Sequence, residues 1–281
     1  MKKYLLILTA VFCFTNTVTA QTIRTLKKVM ELKMPKTIED DMPGTNGAAV
    51  VWHPLQKKYY STMAGNAAYP LAVFDVKGKR LSTENLTAKI DVRGLWYNPV
   101  KKTICGNGYN DNGWFHYNID PKGAVAGFDI DSAAMLQPNE QSVGTYHPVR
   151  KEVLFLNGNQ VSLYAGDGSS DEAIGLKFGM TKKDDIGEKF EWNAETPKDY
   201  NGTTVVFTAV KNAELGVLNM EKKQIELYDF KEGFLSTVLN CPILLKYIHP
   251  LIFVLPMACT GCLIKKQEYG PHINKPFPFN I

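Results

Sequence analysis

The chain has 281 residues and a formal net charge of +4 at pH 7. Two of those positive charges, Lys2 and Lys3, lie in an N-terminal leader with no Asp or Glu, so the chain without the leader carries +2. So weak a balance does not predict the basic footprint that nucleic-acid binding requires, and we expect no nucleic-acid partner.

The first element is this leader, residues 1–20. Met1-Lys2-Lys3 is followed by the uncharged stretch Tyr4–Phe14, and the leader ends in Val18-Thr19-Ala20. A short basic start, an apolar run and a small-x-small ending are typical of an export signal that is cleaved, here after Ala20. We therefore predict a secreted or periplasmic protein.

A lone strand is predicted for residues 26–34, and a repeat begins after it. An aromatic-x-Pro turn occurs three times in the chain: Trp52-His53-Pro54-Leu55-Gln56-Lys57, Tyr97-Asn98-Pro99-Val100-Lys101-Lys102 and Tyr146-His147-Pro148-Val149-Arg150-Lys151. The three prolines are 45 and 49 residues apart. This is the period expected of units of four short strands.

Each repeat contains four segments of high β-propensity separated by turns. Three units are predicted near 48–86, 93–130 and 142–179. A degenerate fourth is predicted near 188–230, with Phe190–Asn193 as its first strand. That assignment places Trp192 at the position of Trp52, Tyr97 and Tyr146.

The aromatic-x-Pro turn, the turn Phe74-Asp75-Val76-Lys77-Gly78 and the export signal together resemble secreted β-propellers of the six- or seven-bladed class, with a WD40/NHL-like repeat architecture. The resemblance implies an all-β propeller of four-stranded antiparallel blades, of which about four are recognisable in 21–239. The motifs are structural, so the resemblance implies no functional residue. The strand 26–34 suits the outer edge of a last blade, a common way to close the ring.

The C-terminal segment 240–281 breaks the repeat, and three interpretations stay open. Its apolar residues 247–264, followed by Lys265 and Lys266, could form a membrane helix that tethers a scaffold. Read in another frame, its codons could encode a strand-rich blade. It could also be an ordinary irregular terminus. If it is a frameshifted blade, the propeller is incomplete, and strand 26–34 should lack the neighbours it was shaped for.

No metal or cofactor site is predicted. Cys259 and Cys262 have no second Cys/His pair at suitable spacing, and the turn Asp167–Asp171 lacks the bidentate carboxylate of a calcium loop. His53 and His147 stand at matching places in the turns, as does Asn98, which indicates that they cap turns and do not bind metal. Disulfides are allowed but not required.

The candidate ligand-binding residues are Tyr109, Asn110, Asp111, Asn112 and Trp114, in the polar loop between the second and third strands of the second unit. Aromatic rings beside amide and carboxylate groups can hold a sugar-like ligand. The alternative for Trp114 is that it packs inward as a third-strand residue.

No catalytic residues are identified, because no nucleophile–base order, phosphate loop or zinc-protease motif occurs. We expect an exported propeller that binds a carbohydrate or peptide ligand. Two alternatives remain: a propeller lyase or hydrolase acting on a glycan, and a scaffold tethered to the membrane through 247–264. A membrane partner is expected only if that segment is an anchor.

Overall fold

The computed structural model describes residues 22–28, 30, 32–33, 48–82, 89–241, 261–265 and 276–280. The predicted leader lies outside these residues. Two short strands come first, β1 (Thr22–Thr25) and β2 (Lys27–Lys28).

Four antiparallel sheets follow in chain order. The first contains β3 (Ala48–His53), β4 (Lys58–Met63) and β5 (Ala72–Phe74). The second contains β6 (Val92–Asn98), β7 (Thr103–Gly108), β8 (Trp114–Ile119) and β9 (Val125–Ser132). The third contains β10 (Thr145–His147), β11 (Glu152–Asn157), β12 (Gln160–Tyr164) and β13 (Glu172–Gly175). The fourth contains β14 (Val206–Phe207), β15 (Leu215–Asn219), β16 (Gln224–Tyr228) and β17 (Leu235–Asn240).

The sheets are blades of a propeller whose first strands lie side by side at the centre. Strand β6 contacts β3 and β10, and β10 contacts β14. At Gly94 and Gly144 the backbones of neighbouring blades come so close that a Cβ on Gly94 would lie 2.6 Å from the Gly144 nitrogen. The predicted all-β propeller fold with about four blades is confirmed.

Apolar clusters fill the space between adjacent blades. Leu95 packs in the cluster between the first and second sheets, while its neighbour Trp96 packs between the second and third. Leu154 and Phe155 likewise face opposite sides of the third sheet. Because successive side chains of a strand point to opposite faces, a sheet buried on both faces needs such a continuous apolar run.

The fourth blade differs from the sequence prediction by one strand. Phe190–Asn193 is not a strand. Segments 204–208, 215–219 and 224–230, which the repeat predicts as the second, third and fourth strands, instead contain the first three strands β14, β15 and β16. The true fourth strand is β17. Trp192, expected at the depth of Tyr146, is half exposed, and that expectation is wrong.

The fourth copy of the repeated turn is Phe207-Thr208-Ala209-Val210-Lys211. Phe207 lies opposite Leu215 on the next strand, as Tyr146 lies opposite Val153. Ala209 stands where the other turns have proline, and its φ is +57°. Proline cannot adopt a positive φ, so this turn could not carry the residue by which the other three copies are recognised.

The N-terminal strand extends the fourth blade. Strand β1 pairs in parallel with β17, and the Leu26 N–H donates to the Asn240 carbonyl at 2.9 Å. Leu26 and Leu32 are buried, Leu32 in a cluster with Val50 of the first sheet. The expectation that this segment lacks neighbours is wrong for these two leucines.

Two strands are described in the C-terminal segment, β18 (Gly261–Lys265) and β19 (Pro276–Asn280), and β19 also pairs with β2. Within the described ranges, no helix is long and apolar enough to cross a membrane. The predicted membrane helix 247–264 lies outside the described residues except for its last four, which belong to β18.

Side chains cap all four turns that join a first strand to a second strand. The Gln56 N–H donates to His53 Nδ1 at 3.3 Å, and the Arg150 N–H donates to His147 Nδ1 at 3.4 Å. The Asn98 side-chain oxygen accepts the Val100 N–H at 2.9 Å, and the Thr208 hydroxyl accepts the Val210 N–H at 3.0 Å. The predicted capping role of the two histidines is confirmed.

The histidines also join neighbouring blades. His53 Nε2 donates to the Lys102 carbonyl at 3.1 Å, while the His147 ring lies 4.2 Å from that of Phe207. We call the end of the propeller formed by turns 53–58, 98–103, 147–152 and 208–214 the turn face, and the opposite end the loop face.

These caps predict a loss of stability in mild acid. Burial lowers the pKa of both His53 and His147 from the ordinary value of 6.5. As the pH falls below about 6.5, the unfolded chain therefore binds protons before the folded protein does. The stability that depends on neutral histidines is complete above this pH and is lost below it, so the free energy of unfolding in urea should fall between pH 7 and pH 5.

Asparagine caps the equivalent turn at Asn98, which supplies matched variants. The double variant His53→Asn, His147→Asn should be less stable at pH 7, because the ring contacts are lost, but should have a shallower pH dependence. Asn98→His should steepen the pH dependence of the free energy of unfolding. Equal slopes in all three proteins would show that these turns do not control the acid sensitivity.

Candidate functional site

The predicted binding loop lies on the loop face of the second blade. Tyr109 follows β7, and its N–H donates to the Asp91 carbonyl at 2.8 Å. Residues Asn110–Asn112 form one turn of 3-10 helix, in which Asn110 has a φ of +54°. Asn110 and Asp111 are exposed, and Asn112 is half buried.

Tyr109 covers a buried ion pair that the sequence analysis missed. Arg93 is only 3% exposed, and its Nη2 donates to Asp91 Oδ2 at 2.8 Å. Its guanidinium carbon lies 4.6 Å from the centre of the Tyr109 ring. A hydrogen bond with Glu140 raises the pKa of the tyrosine hydroxyl. The sign of this pair in the sequence is Arg93 itself, a charged residue between Val92 and Leu95 in an otherwise apolar first strand.

Trp114 lies in the core. Its ring packs edge-on to Trp96 at 5.8 Å and lies 6.2 Å from Phe155, between the second and third blades. The indole is therefore not available for a ligand to stack on. This agrees with the alternative prediction, in which Trp114 packs inward. A binding role for Tyr109, Asn110, Asp111 and Asn112 stays a prediction.

A concavity lies between the third and fourth blades. This groove has a volume of about 610 Å³, and strand β13, the connection from β13 to β14 and the turn from β16 to β17 line it. Its aromatic members are Phe190, Trp192, Phe230 and Phe234. Its charged members are Arg150, Glu172, Lys177, Asp185, Lys231 and Glu232.

Aromatic rings form one wall of the groove. Phe190 and Trp192 meet edge to face with ring centres 4.8 Å apart, and Trp192 is 50% exposed. The Lys177 ammonium lies 4.2 Å from the Phe234 ring centre and 5.5 Å from that of Phe190. A Cβ on Gly175, the last residue of β13, would collide with the Phe190 ring, so only glycine allows that ring to lie against the strand.

Three cations and three carboxylates line the groove, and some of them are held in ion pairs. Arg150 donates to Glu152 at 2.6 Å and also to Glu172, and these two carboxylates raise the pKa of the guanidinium. Lys182 pairs with Glu232 at 2.7 Å, which lowers the pKa of that carboxyl. The paired side chains of the groove therefore present donors and acceptors in fixed positions, and its positive and negative charges are equal in number.

A buried carboxylate fixes the connection that carries Phe190 and Trp192. Glu226 Oε2 accepts the hydroxyls of Tyr200 at 2.7 Å and Tyr228 at 2.6 Å, and the Tyr228 oxygen accepts the Gly179 N–H at 3.1 Å. Gly179 lies near the start of the connection and Tyr200 near its end. Both ends are thus tied to strand β16.

Glu226 has further donors on its other oxygen. Gln224 Nε2 donates to Oε1 at 2.7 Å, and Asn219 Nδ2 donates to it at 3.3 Å. Burial raises the pKa of both tyrosines far above the ordinary value, so their hydroxyls keep their protons and act as donors. Four donors thus satisfy one charged group without a cation.

A second concavity of about 550 Å³ lies on the second blade and includes His116. His116 Nδ1 lies 3.0 Å from Asp131 Oδ1, on strands β8 and β9. These are the outer strands of the blade, away from the central axis. Among the described residues, no cluster of His, Cys, Asp and Glu could hold a metal ion.

The fold is shared with solved structures, whereas the sequence matches no family model and no curated protein. The glutaminyl cyclase of Myxococcus xanthus superposes with a TM-score of 0.55 at 9% identity, over 93% of this chain and 98% of that one. The Pan2 WD40 domain of Neurospora crassa gives 0.46 at 10% identity, over 91% and 95%. The virginiamycin B lyase of Staphylococcus aureus gives 0.38 at 14% identity, over 91% and 74%.

The chain is a β-propeller. The superposition on the glutaminyl cyclase supports the fold alone, and at 9% identity it carries no activity to this chain. The resemblance to propellers expected from the repeated turns is confirmed.

Removing the Glu226 carboxylate should destabilise the fourth blade. Glu226→Ala leaves two buried tyrosine hydroxyls without their acceptor, and we expect a loss of about 3 kcal/mol in the free energy of unfolding. Glu226→Gln keeps the size but replaces one accepting oxygen by a donor, so it should cost about 2 kcal/mol. Urea unfolding measures both, and a change below about 0.5 kcal/mol in either variant would contradict this role.

The predicted loop should respond unequally to truncation. Tyr109→Ala uncovers the buried Arg93 and should cost about 1–2 kcal/mol, whereas Asp111→Ala at an exposed position should stay within about 0.5 kcal/mol. Tyr109→Phe keeps the ring over Arg93 and serves as the control for the hydroxyl. Thermal unfolding distinguishes the three variants, and equal melting temperatures for Tyr109→Ala and Asp111→Ala would contradict the covering role.

Proposed function

We propose that this protein is an exported propeller that binds a neutral carbohydrate in the groove between its third and fourth blades. The single observation that carries the proposal is the aromatic wall of Phe190 and Trp192, with Trp192 half exposed inside a groove of about 610 Å³. Exposed aromatic rings in a concave site offer stacking area, and polar groups around them give orientation.

The paired charges favour a neutral ligand over an ionic one. Arg150 is held by Glu152 and Glu172, and Lys182 is held by Glu232. The lining carries three cations and three carboxylates, so it offers no net charge to attract an ionic ligand. Sugar hydroxyls can instead donate to the carboxylates and accept from the cations, and hydrogen bonds to charged groups are the stronger kind.

The groove also favours binding over hydrolysis. A glycosidase needs one carboxyl group that keeps its proton and a second that is ionised. Lys182 lowers the pKa of Glu232, so this carboxyl is a poor proton donor. A ligand can therefore be held here without the acid that glycan cleavage needs.

A neutral oligosaccharide array tests the proposal. Trp192→Ala should weaken binding at least about 30-fold, as expected when an aromatic anchor is removed, with thermal stability unchanged because the side chain is half exposed. Trp192→Tyr keeps a stacking ring and should retain part of the affinity.

The double variant Tyr109→Phe, Asp111→Ala is the matched control on the predicted loop. It should bind as the unchanged protein does. If this control loses binding while Trp192→Ala keeps it, the ligand lies at the loop and the groove assignment is wrong. If the protein binds peptide arrays and no oligosaccharide, the ligand is a peptide and the carbohydrate assignment is wrong.

A further inference from the structure

The turn face carries an aliphatic side chain at the same place in every blade. The four turns place Leu55, Val100, Val149 and Val210 at their tips, and these residues are 63%, 64%, 84% and 41% exposed. Single exposed aliphatic residues are common on protein surfaces. Four at equivalent positions, around one axis, form a pattern.

Cations accompany each of these tips. Turns 53–57, 98–102, 147–151 and 208–212 each contain Lys or Arg. Glu152 follows the third turn and pairs with Arg150, and Glu214 lies just after the fourth. Lys57, Lys102 and Lys151 follow the aliphatic residue by two positions, and each has a left-handed backbone with φ between 51° and 62°. Lys211 follows Val210 directly.

Most of these lysines have no opposing charge. Among the described residues, no carboxylate forms an ion pair with Lys57, Lys102, Lys151 or Lys211. Besides Glu152 and Glu214, carboxylates at this end lie in the turns between third and fourth strands. There Asp75 and Asp120 accept the N–H groups of their own turns.

The turns come together on one surface. The His53–Lys102 hydrogen bond joins the first turn to the second, and the Phe207 N–H donates to the Thr145 hydroxyl at 3.2 Å beside the third and fourth. Inner strands of neighbouring blades run in the same direction, as the parallel bridge between Val143 and Thr204 shows. All four tips therefore point out of the same end of the propeller.

We propose that the turn face is a docking surface for an anionic lipid bilayer. Unpaired lysines are attracted to negatively charged headgroups, and aliphatic tips between them enter the boundary between headgroups and acyl chains. A soluble polyanion would use the lysines but would gain nothing from the aliphatic tips. The aliphatic tips and Lys57, Lys102, Lys151 and Lys211 do not line the carbohydrate groove, although Arg150 of the third turn does.

Vesicle sedimentation of the full chain tests the proposal. The protein should pellet with vesicles of phosphatidylcholine and phosphatidylglycerol, should stay in solution with phosphatidylcholine alone, and should be released by 0.5 M salt because charge attraction is screened. Binding to both kinds of vesicle with equal strength would overturn the proposal.

The triple variant Lys57→Asn, Lys102→Asn, Lys151→Asn removes three charges and keeps a residue that tolerates a left-handed backbone. Partitioning to anionic vesicles should fall about 100-fold, from roughly fivefold per lysine. The matched control Lys183→Asn, Lys198→Asn, Lys222→Asn removes the same charge from exposed positions outside the four turns and should bind as the unchanged protein does. An equal loss in the control would refute the assignment to the turn face.

A second triple variant separates a bilayer from a polyanion. Leu55→Ser, Val100→Ser, Val149→Ser keeps every charge and should lower partitioning at least about 10-fold. Its affinity for heparin should equal that of the unchanged protein. Undiminished vesicle binding by this variant would show that the aliphatic tips do not enter the lipid and would overturn the bilayer in favour of a soluble polyanion.

Discussion

The shape of the candidate site depends on the buried carboxylate of Glu226. A charge in an interior without a cation is costly unless donors surround it, and here Tyr200, Tyr228, Gln224 and Asn219 supply them. Because Tyr200 and the Tyr228 partner Gly179 lie at opposite ends of the connection between β13 and β14, the same carboxylate holds a segment that has no strand of its own. Phe190 and Trp192 are displayed from that segment.

The two ends of the propeller are built from different kinds of connection. On the turn face, each blade has the same short turn with a side-chain cap. An exposed position of that turn therefore occurs once in every blade around the axis. On the loop face, connections vary in length, and the longest one, between β13 and β14, carries Phe190 and Trp192 to a groove that Arg150 and the turn from β16 to β17 also line. A repeated surface suits an extended, uniform partner, while a single irregular cleft suits a small ligand.

The repeated turns could be read from the sequence because proline, an aromatic residue and a capping residue recur at fixed offsets. The fourth copy could not, since its left-handed Ala209 excludes proline. Trp192 was misplaced because its aromatic character fits a first strand, whereas its segment is a connection tied at both ends to β16 through Glu226 and Tyr228. The role of Tyr109 depends on Arg93, 16 residues earlier, which sequence spacing does not connect to it. The capping histidines were predictable, because their cap is local.

Hydrogen–deuterium exchange with and without the best-binding neutral oligosaccharide tests the central claim most directly. The account predicts that the ligand slows exchange in three segments that meet only at the groove, namely 172–177, 185–192 and 230–234. Slower exchange confined to 106–114, or no change in any of these segments, would contradict it.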